Sequence, residues 1–280
     1  YGYTNNDSAD ANFSLTNLVS SSGVIATDVT GVGSARHDVA ATGYGADKAI
    51  FGQGSTAVTN LVSSSGVVST DTSGVGTARR ALAAARYGGD KALFGFGTAS
   101  GSLTAITNLV SNVGVVASDT AGVGTGRREL AAAGYGTDKA IFGYGYASDV
   151  SSLTNLVSNL GVVASDVSGV GTARYTPAAA SYGTDKAIFA YGYGTGIVSL
   201  KNLVNSSGVV AADVTGVGTA RDRLAAASYG GDKAIFAYGN SGSSVSMSNL
   251  VNSSGVVAAD VTGVGTARDQ LAAAGYSISA

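Results

Sequence analysis

Several residue types are missing or rare in this chain of 280 residues, which has no cysteine, no tryptophan, one proline, one methionine and one histidine. Without cysteine there are no disulfides, thiolate metal sites or thiol nucleophiles, although the cellular compartment stays open. Only 12% of residues are charged and the formal net charge is −2, which argues against nucleic-acid binding through a basic surface. The apolar runs are far shorter than the roughly 20 residues of a membrane-spanning helix.

An internal repeat dominates what is present. The unit at 182–228 returns almost unchanged at 229–275, and 202–222 is identical to 249–269. Each copy contains a Gly-Val-Gly phrase, an arginine, two variable residues and a run of small apolar residues, followed by a Tyr-Gly turn. Six arginines mark the copies, with spacings of 43, 48, 47, 47 and 47 residues. They are Arg36, Arg79, Arg127, Arg174, Arg221 and Arg268. A period of this length indicates a repeat architecture.

Within one copy the apolar segments are short and bounded by glycine-rich or polar turns. In the copy at 128–167 they cover 130–133, 139–144, 153–157 and 162–164, which we label A, B, C and D. Runs of this length are typical of strands, because helices need about 10–12 residues. Ile141 and Phe142 are adjacent and both apolar, so both faces of strand B are expected to be buried. Four strands in about 47 residues match a propeller blade.

The sequence therefore predicts a single all-β domain over 1–280, a six-bladed β-propeller with four antiparallel strands per blade. Five blades are contiguous, and the sixth combines the two chain ends, which closes the ring. The predicted blades are 37–72, 80–120, 128–167, 175–214, 222–261, and 1–29 with 269–280. In the sixth blade the stub at 276–280 lacks the Asp-Lys-Ala-Ile-Phe phrase, so its B strand is expected to be short or supplied otherwise.

The order of Arg127, the small-residue run at 130–133 and the Phe-Gly-Tyr-Gly end of strand B at 142–145 resembles kelch-type propeller repeats. A Gly-x-Gly replaces the family's Gly-Gly doublet, and the tryptophan usual in strand D is absent. The repeated Asp-Lys-Ala-Ile-Phe-Gly-Tyr-Gly phrase is also similar to units of phage virion and tail-associated proteins. The first resemblance implies a propeller fold, and the second implies a part of a particle. The copper-radical kelch enzymes need Cys and several His ligands, which this chain lacks.

Six aspartates recur eight residues before the repeat arginines. One interpretation is a set of carboxylates that binds a cation. The favoured interpretation is a structural brace of Asp and Arg along the D-to-A connection, because metal ligands must converge and these positions are spread around a ring. The aspartates are Asp28, Asp71, Asp119, Asp166, Asp213 and Asp260.

Other repeated polar residues are expected to be structural. The Asp-Lys pairs, such as Asp138 and Lys139, suit the A-to-B turn, since Asp bonds the backbone two residues on. Six asparagines open the C strands and are interpreted as backbone ties: Asn17, Asn60, Asn108, Asn155, Asn202 and Asn249. The phrase Gly-Val-Gly-Thr-Ala-Arg lacks the third glycine and the βαβ context of a dinucleotide loop.

The B-to-C loops, at 4–13, 55–57, 98–105, 147–151, 194–199 and 240–244, carry most of the variation. Aromatic residues at the ends of the B strands are expected near the same face of the propeller. Such residues, beside small polar ones, suit a glycan or protein contact. The favoured interpretation, however, is that the tyrosines close the ends of the interfaces between blades. The candidate binding rim comprises Tyr3, Phe96, Tyr144, Tyr146, Tyr191, Tyr193 and Tyr238, with Tyr1 beside them.

No catalytic set stands out, because His37 is the only histidine and Glu129 the only glutamate. We expect no enzyme activity, no metal and no cofactor. The predicted function is a structural or attachment module of a phage particle or another extracellular assembly, with other protein subunits as partners. The stub beside the incomplete B strand is expected to accept or donate a strand between subunits. The alternative is a multivalent, lectin-like propeller that binds cell-surface glycans.

Overall fold

The computed structural model describes residues 1–6 and 9–276, and within these residues every regular element is a β-strand. No helix occurs in this part of the chain, which is therefore all-β as predicted. The strands are β1 (Gly2–Asn6), β2 (Ala9–Phe13), β3 (Ala40–Tyr44), β4 (Lys48–Gly52), β5 (Thr59–Val62), β6 (Ala83–Tyr87), β7 (Lys91–Gly95), β8 (Thr98–Ala99), β9 (Ser102–Leu103), β10 (Thr107–Val110), β11 (Ala131–Tyr135), β12 (Lys139–Gly143), β13 (Thr154–Val157), β14 (Ala178–Tyr182), β15 (Lys186–Ala190), β16 (Lys201–Val204), β17 (Ala225–Tyr229), β18 (Lys233–Ala237) and β19 (Ser248–Val251).

These strands form seven small antiparallel sheets in a repeated arrangement. Five of the sheets have three strands, in the order A, B, C, and each belongs to one copy of the repeat. We call these copies units 1 to 5, at 37–72, 80–120, 128–167, 175–214 and 222–261. The segments 1–29 and 269–276 contact each other through the bridge between Tyr3 and Asp269, and we call them together the closing unit. The remaining two sheets are the hairpins β1–β2 and β8–β9.

In the five three-stranded sheets, the apolar residues of the middle strand are buried on both faces, apart from Phe51, which is partly exposed. In unit 3, Ala140, Ile141 and Phe142 have no exposed surface. Phe142 pairs with Ala132 on one side and with Asn155 on the other. Two adjacent apolar residues on opposite faces of a strand need a packed neighbour on each side. The alanine-rich A strands supply small side chains where strands of consecutive units lie side by side.

Segment D differs from the prediction, because it forms isolated bridges instead of a fourth strand. In unit 3 the bridges join Val157 to Val163 and Thr154 to Val167, so the register shifts by one residue between them. The Asn155 side chain donates to the Ala164 carbonyl in this interval, at 3.1 Å. In the interval where the register shifts, the Ala164 carbonyl therefore accepts a hydrogen bond from a side chain, as in a β-bulge.

Two of the predicted B-to-C loops also differ from the prediction, because they contain hairpins. Strands β1 and β2 pair from Gly2 with Phe13 to Asn6 with Ala9. Strands β8 and β9 pair Thr98 with Leu103 and Ala99 with Ser102. Residues 7 and 8 of the first loop, and 277–280 of the predicted terminal stub, lie outside the described residues.

Apolar cores lie between consecutive units, as a propeller-like arrangement requires. One core joins Phe96 of unit 2 to Leu130, Phe142 and Val157 of unit 3. At one edge of each such interface, a turn tyrosine covers a glycine of the next unit. A Cβ at Gly208 would lie 2.8 Å from Cζ of Tyr135, so only glycine fits there.

This tyrosine–glycine contact recurs six times and links every unit to the next. The pairs are Tyr44–Gly114, Tyr87–Gly161, Tyr135–Gly208, Tyr182–Gly255, Tyr229–Gly23 and Tyr276–Gly66. The last two pairs connect the closing unit to units 5 and 1.

Candidate functional site

Each repeat arginine is the centre of a buried polar network. In unit 3 the Arg127 side chain has no exposed surface. Its Nε donates to the Tyr144 carbonyl at 3.1 Å, and its NH2 donates to Asn155 Oδ1 at 2.5 Å. Its NH1 lies 3.3 Å from Asp166 Oδ1, which also accepts from Asn155 Nδ2 at 2.8 Å. Asn155 is thus the backbone tie that the sequence predicts and also an acceptor for arginine, a role that the sequence analysis missed.

The aspartate of this network is held as a carboxylate. Asp166 Oδ2 accepts from the backbone N–H and the hydroxyl of Thr125, at 2.9 and 2.7 Å. Burial alone would raise the pKa of Asp166, but hydrogen bonds from Thr125 and Asn155 and the charge of Arg127 bring it below the usual value. Burial likewise lowers the pKa of the Arg127 guanidinium, and Asp166 opposes that effect. The network therefore holds an ion pair that is partly shielded from solvent.

The brace exists, but its partners differ from the predicted ones. Each aspartate lies near the arginine of the preceding copy, not the arginine eight residues later, because the D-to-A connection carries the chain on to the next unit. Ion-pair distances of 3.3–3.8 Å join Arg36 to Asp71, Arg127 to Asp166, Arg174 to Asp213, Arg221 to Asp260, and Arg268 to Asp28. Arg79 donates to Asn108, and its Nε and NH1 have no hydrogen-bond partner among the described residues.

This geometry does not support the interpretation of the six repeat aspartates as ligands of a cation. Every network carboxylate is occupied by an arginine, an asparagine or a Ser/Thr donor. Among residues 1–6 and 9–276, no group of three or more His, Asp or Glu side chains is placed to hold a metal ion.

Four of the seven candidate rim aromatics are buried, which corrects that prediction for Phe96, Tyr144, Tyr191 and Tyr238. The cause is a positive φ of 63–65° at each of them, which turns the ring into the interface with the next unit. The left-handed conformation is costly for a large side chain, so the packing must offset strain.

Tyr144 shows what these rings do. Its ring packs edge-on against Phe189 at 5.2 Å, and the Arg174 guanidinium lies 4.1 Å from the ring centroid. Its hydroxyl donates to the Val170 carbonyl at 3.2 Å. Burial raises the pKa of Tyr144 to about 12. These aromatics therefore close interfaces between units, which is the favoured interpretation of the sequence. Tyr1 packs on Phe51 in the same way.

The other three rim aromatics, Tyr3, Tyr146 and Tyr193, are half-buried. Tyr146 and Tyr193 flank Tyr175, with ring centroids 6.0 and 5.4 Å away. Tyr3 lies beside His37, 5.6 Å between centroids. The positions equivalent to Tyr146 in units 2 and 5 are Thr98 and Asn240, so this aromatic surface is not repeated in every unit.

The two variable residues after each repeat arginine come together in a way that the sequence analysis did not predict. The second of each pair has φ of 52–54° and forms a backbone hydrogen bond to its counterpart in the neighbouring unit. Six such bonds make a closed backbone cycle. The N–H donors and carbonyl acceptors are Ala81 to Asp38, Glu129 to Ala81, Thr176 to Glu129, Arg223 to Thr176, Gln270 to Arg223 and Asp38 to Gln270, at 2.7–3.3 Å.

The side chains around this backbone cycle break the repeat symmetry, and we call them the charged cluster. They include the only histidine and the only glutamate of the chain. Ion-pair contacts join Arg128 to Glu129 at 3.9 Å and Arg223 to Asp222 at 3.6 Å. The members are His37, Asp38, Arg80, Arg128, Glu129, Tyr175, Asp222, Arg223, Asp269 and Gln270.

Three acids of the charged cluster, Asp38, Glu129 and Asp222, have raised pKa values. Burial raises the pKa of Asp38, against the opposing charges of His37 and several arginines. Burial also raises the pKa of Glu129 and of Asp222, with further contributions from neighbouring carboxylates. Such a mixed-charge cluster can hold a polar small molecule, and perturbed carboxylates are found both at functional sites and in structural ion pairs. The sequence contains a signal for the charged cluster, because ionisable residues concentrate at the two variable positions after each repeat arginine.

The outer edge of each unit is the second unusual surface. The first valine of segment D is 55–65% exposed in all six units, whereas the next residue is buried or nearly so. No Lys or Arg lies between strand C and the repeat arginine in any unit. Native edge strands are usually protected by lysine, proline or strong bulges. The exposed valines are Val24, Val67, Val115, Val162, Val209 and Val256, and we call them the outer valines.

Comparisons with known proteins support the fold. No protein-family model matches the chain, and a search of the curated proteins finds no match. The solved structure of YjhT is similar, with a TM-score of 0.65 and 12% identity over 85% of this chain and 87% of YjhT. At this identity the similarity concerns the fold alone. A search of the described residues for a helix long and apolar enough to cross a membrane finds none.

Proposed function

We propose that the chain is a six-bladed β-propeller, closed by its two terminal segments, which serves as a non-enzymatic structural or attachment module. The setting is a phage particle or another extracellular assembly, and the phage setting rests on the sequence resemblance alone. The outer valines carry the proposal of assembly, because they offer six equivalent apolar contacts to copies of the same chain.

Two closed sets of contacts support six blades. The backbone cycle returns from Gln270 to Asp38, and the tyrosine–glycine pairs return from Tyr276 to Gly66. In addition, Thr266 and Arg268 bind Asp28, which joins the chain ends through the same network that other units use. Each set has six members, one per repeat arginine.

Deleting 271–280 tests closure, because it removes the A segment of the closing unit and Tyr276. We expect the truncated protein to unfold at a much lower temperature or to oligomerise, measured by calorimetry and sedimentation. A truncated monomer with an unchanged melting curve contradicts the closed ring.

The outer edges support assembly for a physical reason. Six exposed valines beside small, uncharged residues can bury apolar surface between copies at low desolvation cost. Because the units are nearly identical, one favourable contact is available several times on each copy, and weak contacts add up.

The test is a triple variant, Val115→Lys with Val162→Lys and Val209→Lys. We expect the parent protein to self-associate at micromolar concentration and the variant to stay monomeric with the same melting temperature, as measured by sedimentation velocity and electron microscopy. The matched control adds three lysines at the exposed A-to-B turns through Ala46→Lys, Thr137→Lys and Thr184→Lys, and should still associate. Isolated parent particles at all concentrations contradict the assembly function.

The glycan-binding alternative loses most of its repeated pockets, because Phe96, Tyr144, Tyr191 and Tyr238 are buried. Three half-buried rim aromatics remain, and Tyr146→Ala with Tyr193→Ala is the variant that tests them on a glycan array. Glycan binding that this variant abolishes would favour the alternative. Turnover of any substrate that His37→Ala abolishes would favour an enzyme.

A further inference from the structure

The interface between units 1 and 2 lacks an aromatic ring that the other interfaces contain. Elsewhere such a ring lies under the repeat arginine that leads into the next unit, with 4.1–4.8 Å between the guanidinium carbon and the ring centroid. The five aromatic residues are Tyr1, Phe96, Tyr144, Tyr191 and Tyr238. Between units 1 and 2 the equivalent residue is Gln53, which is buried and has a similar left-handed φ of 71°. Arg79 and Phe94 of unit 2 therefore face an amide where their counterparts face a ring.

Gln53 replaces only part of what a tyrosine supplies. In four interfaces the tyrosine hydroxyl donates to the carbonyl of a valine in the D-to-A connection, at 2.9–3.2 Å. These valines are Val32, Val170, Val217 and Val264. Gln53 has no hydroxyl for the equivalent carbonyl of Val75, and its Oε1 accepts from the backbone N–H of Arg79 at 3.0 Å. One polar contact thus stands where other interfaces have ring packing and a hydroxyl bond.

Arg79 is the least satisfied of the repeat arginines, although it has no exposed surface. Its NH2 donates to Asn108 Oδ1 at 2.5 Å, but its Nε and NH1 find no partner in the part of the chain that the structure describes. An aspartate oxygen lies 3.3–3.8 Å from each of the other five repeat arginines, and within the same residues none lies at ion-pair distance from Arg79. A buried guanidinium with unpaired N–H groups costs free energy, and access of water removes that cost.

The backbone beside Arg79 is also strained. Gln53, Gly54 and Ser55 are three consecutive residues with positive φ, at 71, 87 and 69°. In unit 3 only Tyr144 and Gly145, the first two of the equivalent residues, have positive φ. Unit 1 further lacks, within the described residues, the isolated bridge that joins the end of strand B to the first variable residue in units 2 to 5. Residues in left-handed conformations persist only where the surrounding contacts hold them.

We propose that the interface between units 1 and 2 opens locally and reversibly, while the interfaces between units 2 and 5 stay closed. The missing ring, the missing hydroxyl bond, the unpaired guanidinium and the strained segment all lie at this one contact. Opening releases the strain in 53–55 and admits water to Arg79, whereas the other interfaces would lose a packed ring. Local opening of this kind occurs where few apolar contacts hold a region. It exposes Arg79 and Phe94, and it does not depend on the outer valines.

The absence of cysteine allows a direct test by thiol labelling. Ala92 lies in the core between units 1 and 2, and Ala187 occupies the equivalent position between units 3 and 4. Neither residue has any exposed surface. Ala92→Cys and Ala187→Cys each introduce one thiol that reacts only when its interface opens. We expect the thiol at position 92 to react at least about tenfold faster in the folded protein.

Reciprocal variants link the labelling to the missing ring. Gln53→Tyr supplies a ring and a hydroxyl within reach of the Val75 carbonyl. It should lower the labelling rate at position 92 to the rate at position 187, and raise the melting temperature by about 2–4 °C. Tyr144→Gln removes the ring between units 3 and 4, and should raise the labelling rate at position 187 at least about tenfold.

Hydrogen exchange of the unmodified protein decides the question if a cysteine variant does not fold. The Gly54 N–H donates to the Arg79 carbonyl at 3.0 Å, and the Gly145 N–H donates to the Arg174 carbonyl at 2.9 Å. Gly54 should exchange faster than Gly145 after correction for intrinsic rates. Equal labelling at positions 92 and 187, equal exchange of the two glycines, or fast labelling that Gln53→Tyr leaves unchanged would each overturn the proposal.

Discussion

Units 1 to 5 and the closing unit differ mainly in one strand, the middle strand of the sheet. The complete units have a middle strand whose apolar residues are buried, apart from the partly exposed Phe51, whereas no strand occupies this position among the described residues of the closing unit. Both kinds nevertheless contain the same polar network: Arg268 donates to Asn17, lies 3.5 Å from Asp28 and covers Tyr238. The arginine network therefore forms without the middle strand, and polar and apolar contacts hold separate parts of each unit.

The same network also joins residues that lie at very different distances along the chain. Arg174 and Asn202 are 28 residues apart, whereas Arg268 and Asn17 are 251 residues apart. Closing a longer loop costs more chain entropy, although the cost grows only slowly with length. The closing unit thus holds the chain ends with equal chemistry but less apolar burial.

The largest expected difference between the two kinds of unit comes from their phenylalanines. Phe189→Ala should lower the free energy of unfolding by about 4 kcal/mol, because it leaves a cavity beside Tyr144 in a complete interface. Phe51→Ala should cost only about 2 kcal/mol, since its side chain is already partly exposed. Urea unfolding of both variants measures the difference. Equal losses would contradict the difference in burial between the two phenylalanines.

The second difference concerns the buried arginines. Arg174→Met should cost about 3 kcal/mol, toward the lower end for a broken buried ion pair, because Asp213 is partly exposed. Arg268→Met should cost a similar amount, but it should also speed hydrogen exchange throughout 9–30 and 266–276, because it releases the chain ends. Hydrogen exchange measured by mass spectrometry distinguishes the Arg174→Met variant from the Arg268→Met variant. The same exchange pattern in both variants contradicts a closing role for Arg268.

The smallest expected effect concerns how stability depends on pH. The aspartates of the arginine network and the acids of the charged cluster should differ in this respect. The pKa of Asp213 is lowered in the fold, because hydrogen bonds from Thr172 and Asn202 outweigh its burial. Its stabilisation is present above the unfolded pKa of about 3.9 and is lost as the pH falls through the lower folded pKa. The pKa of Glu129 is raised by burial, so its contribution is lost as the pH rises through that raised value.

Asp213→Asn should therefore destabilise the protein at pH 7 and matter less near pH 3. Glu129→Gln should stabilise it at pH 7 and matter less near pH 3. Each effect should stay below about 1 kcal/mol, because both side chains are partly exposed. Thermal melts from pH 3 to 8 measure this, with Asp149→Asn in an exposed loop as control. Parallel curves for the two variants would refute the distinction.

The strands of each unit could be predicted from the sequence because local patterns determine them. Strand B was predicted at 139–144 and spans Lys139–Gly143, and strand A was predicted at 130–133 and spans Ala131–Tyr135. Segment D was wrong as a strand, since its pairing depends on where the Asn155 side chain bonds. Short apolar segments and turns carry this information, whereas side-chain hydrogen bonds do not show in a periodicity.

The site was harder to predict because it depends on directions that a sequence does not state. Tyr144 looks like a rim residue until its positive φ is known, and a non-glycine residue gives no sign of that conformation. Asp166 looks like the partner of the arginine eight residues later, but the chain has by then crossed to the next unit. The charged cluster could have been found, since Asp38 and Glu129 occupy corresponding variable positions, with His37 and Arg128 beside them.

The backbone cycle has a consequence for how this protein can diversify. Its six hydrogen bonds use main-chain groups only, so the spacing of the six positions does not depend on which side chains they carry. Proline is excluded because each N–H donates, and the left-handed φ disfavours β-branched residues, although Thr176 is accommodated. Other residues can be exchanged one position at a time without altering the frame. Duplicated units can thus keep one scaffold while selection changes six adjacent side chains independently, which makes the backbone cycle a natural place for libraries of new binding surfaces.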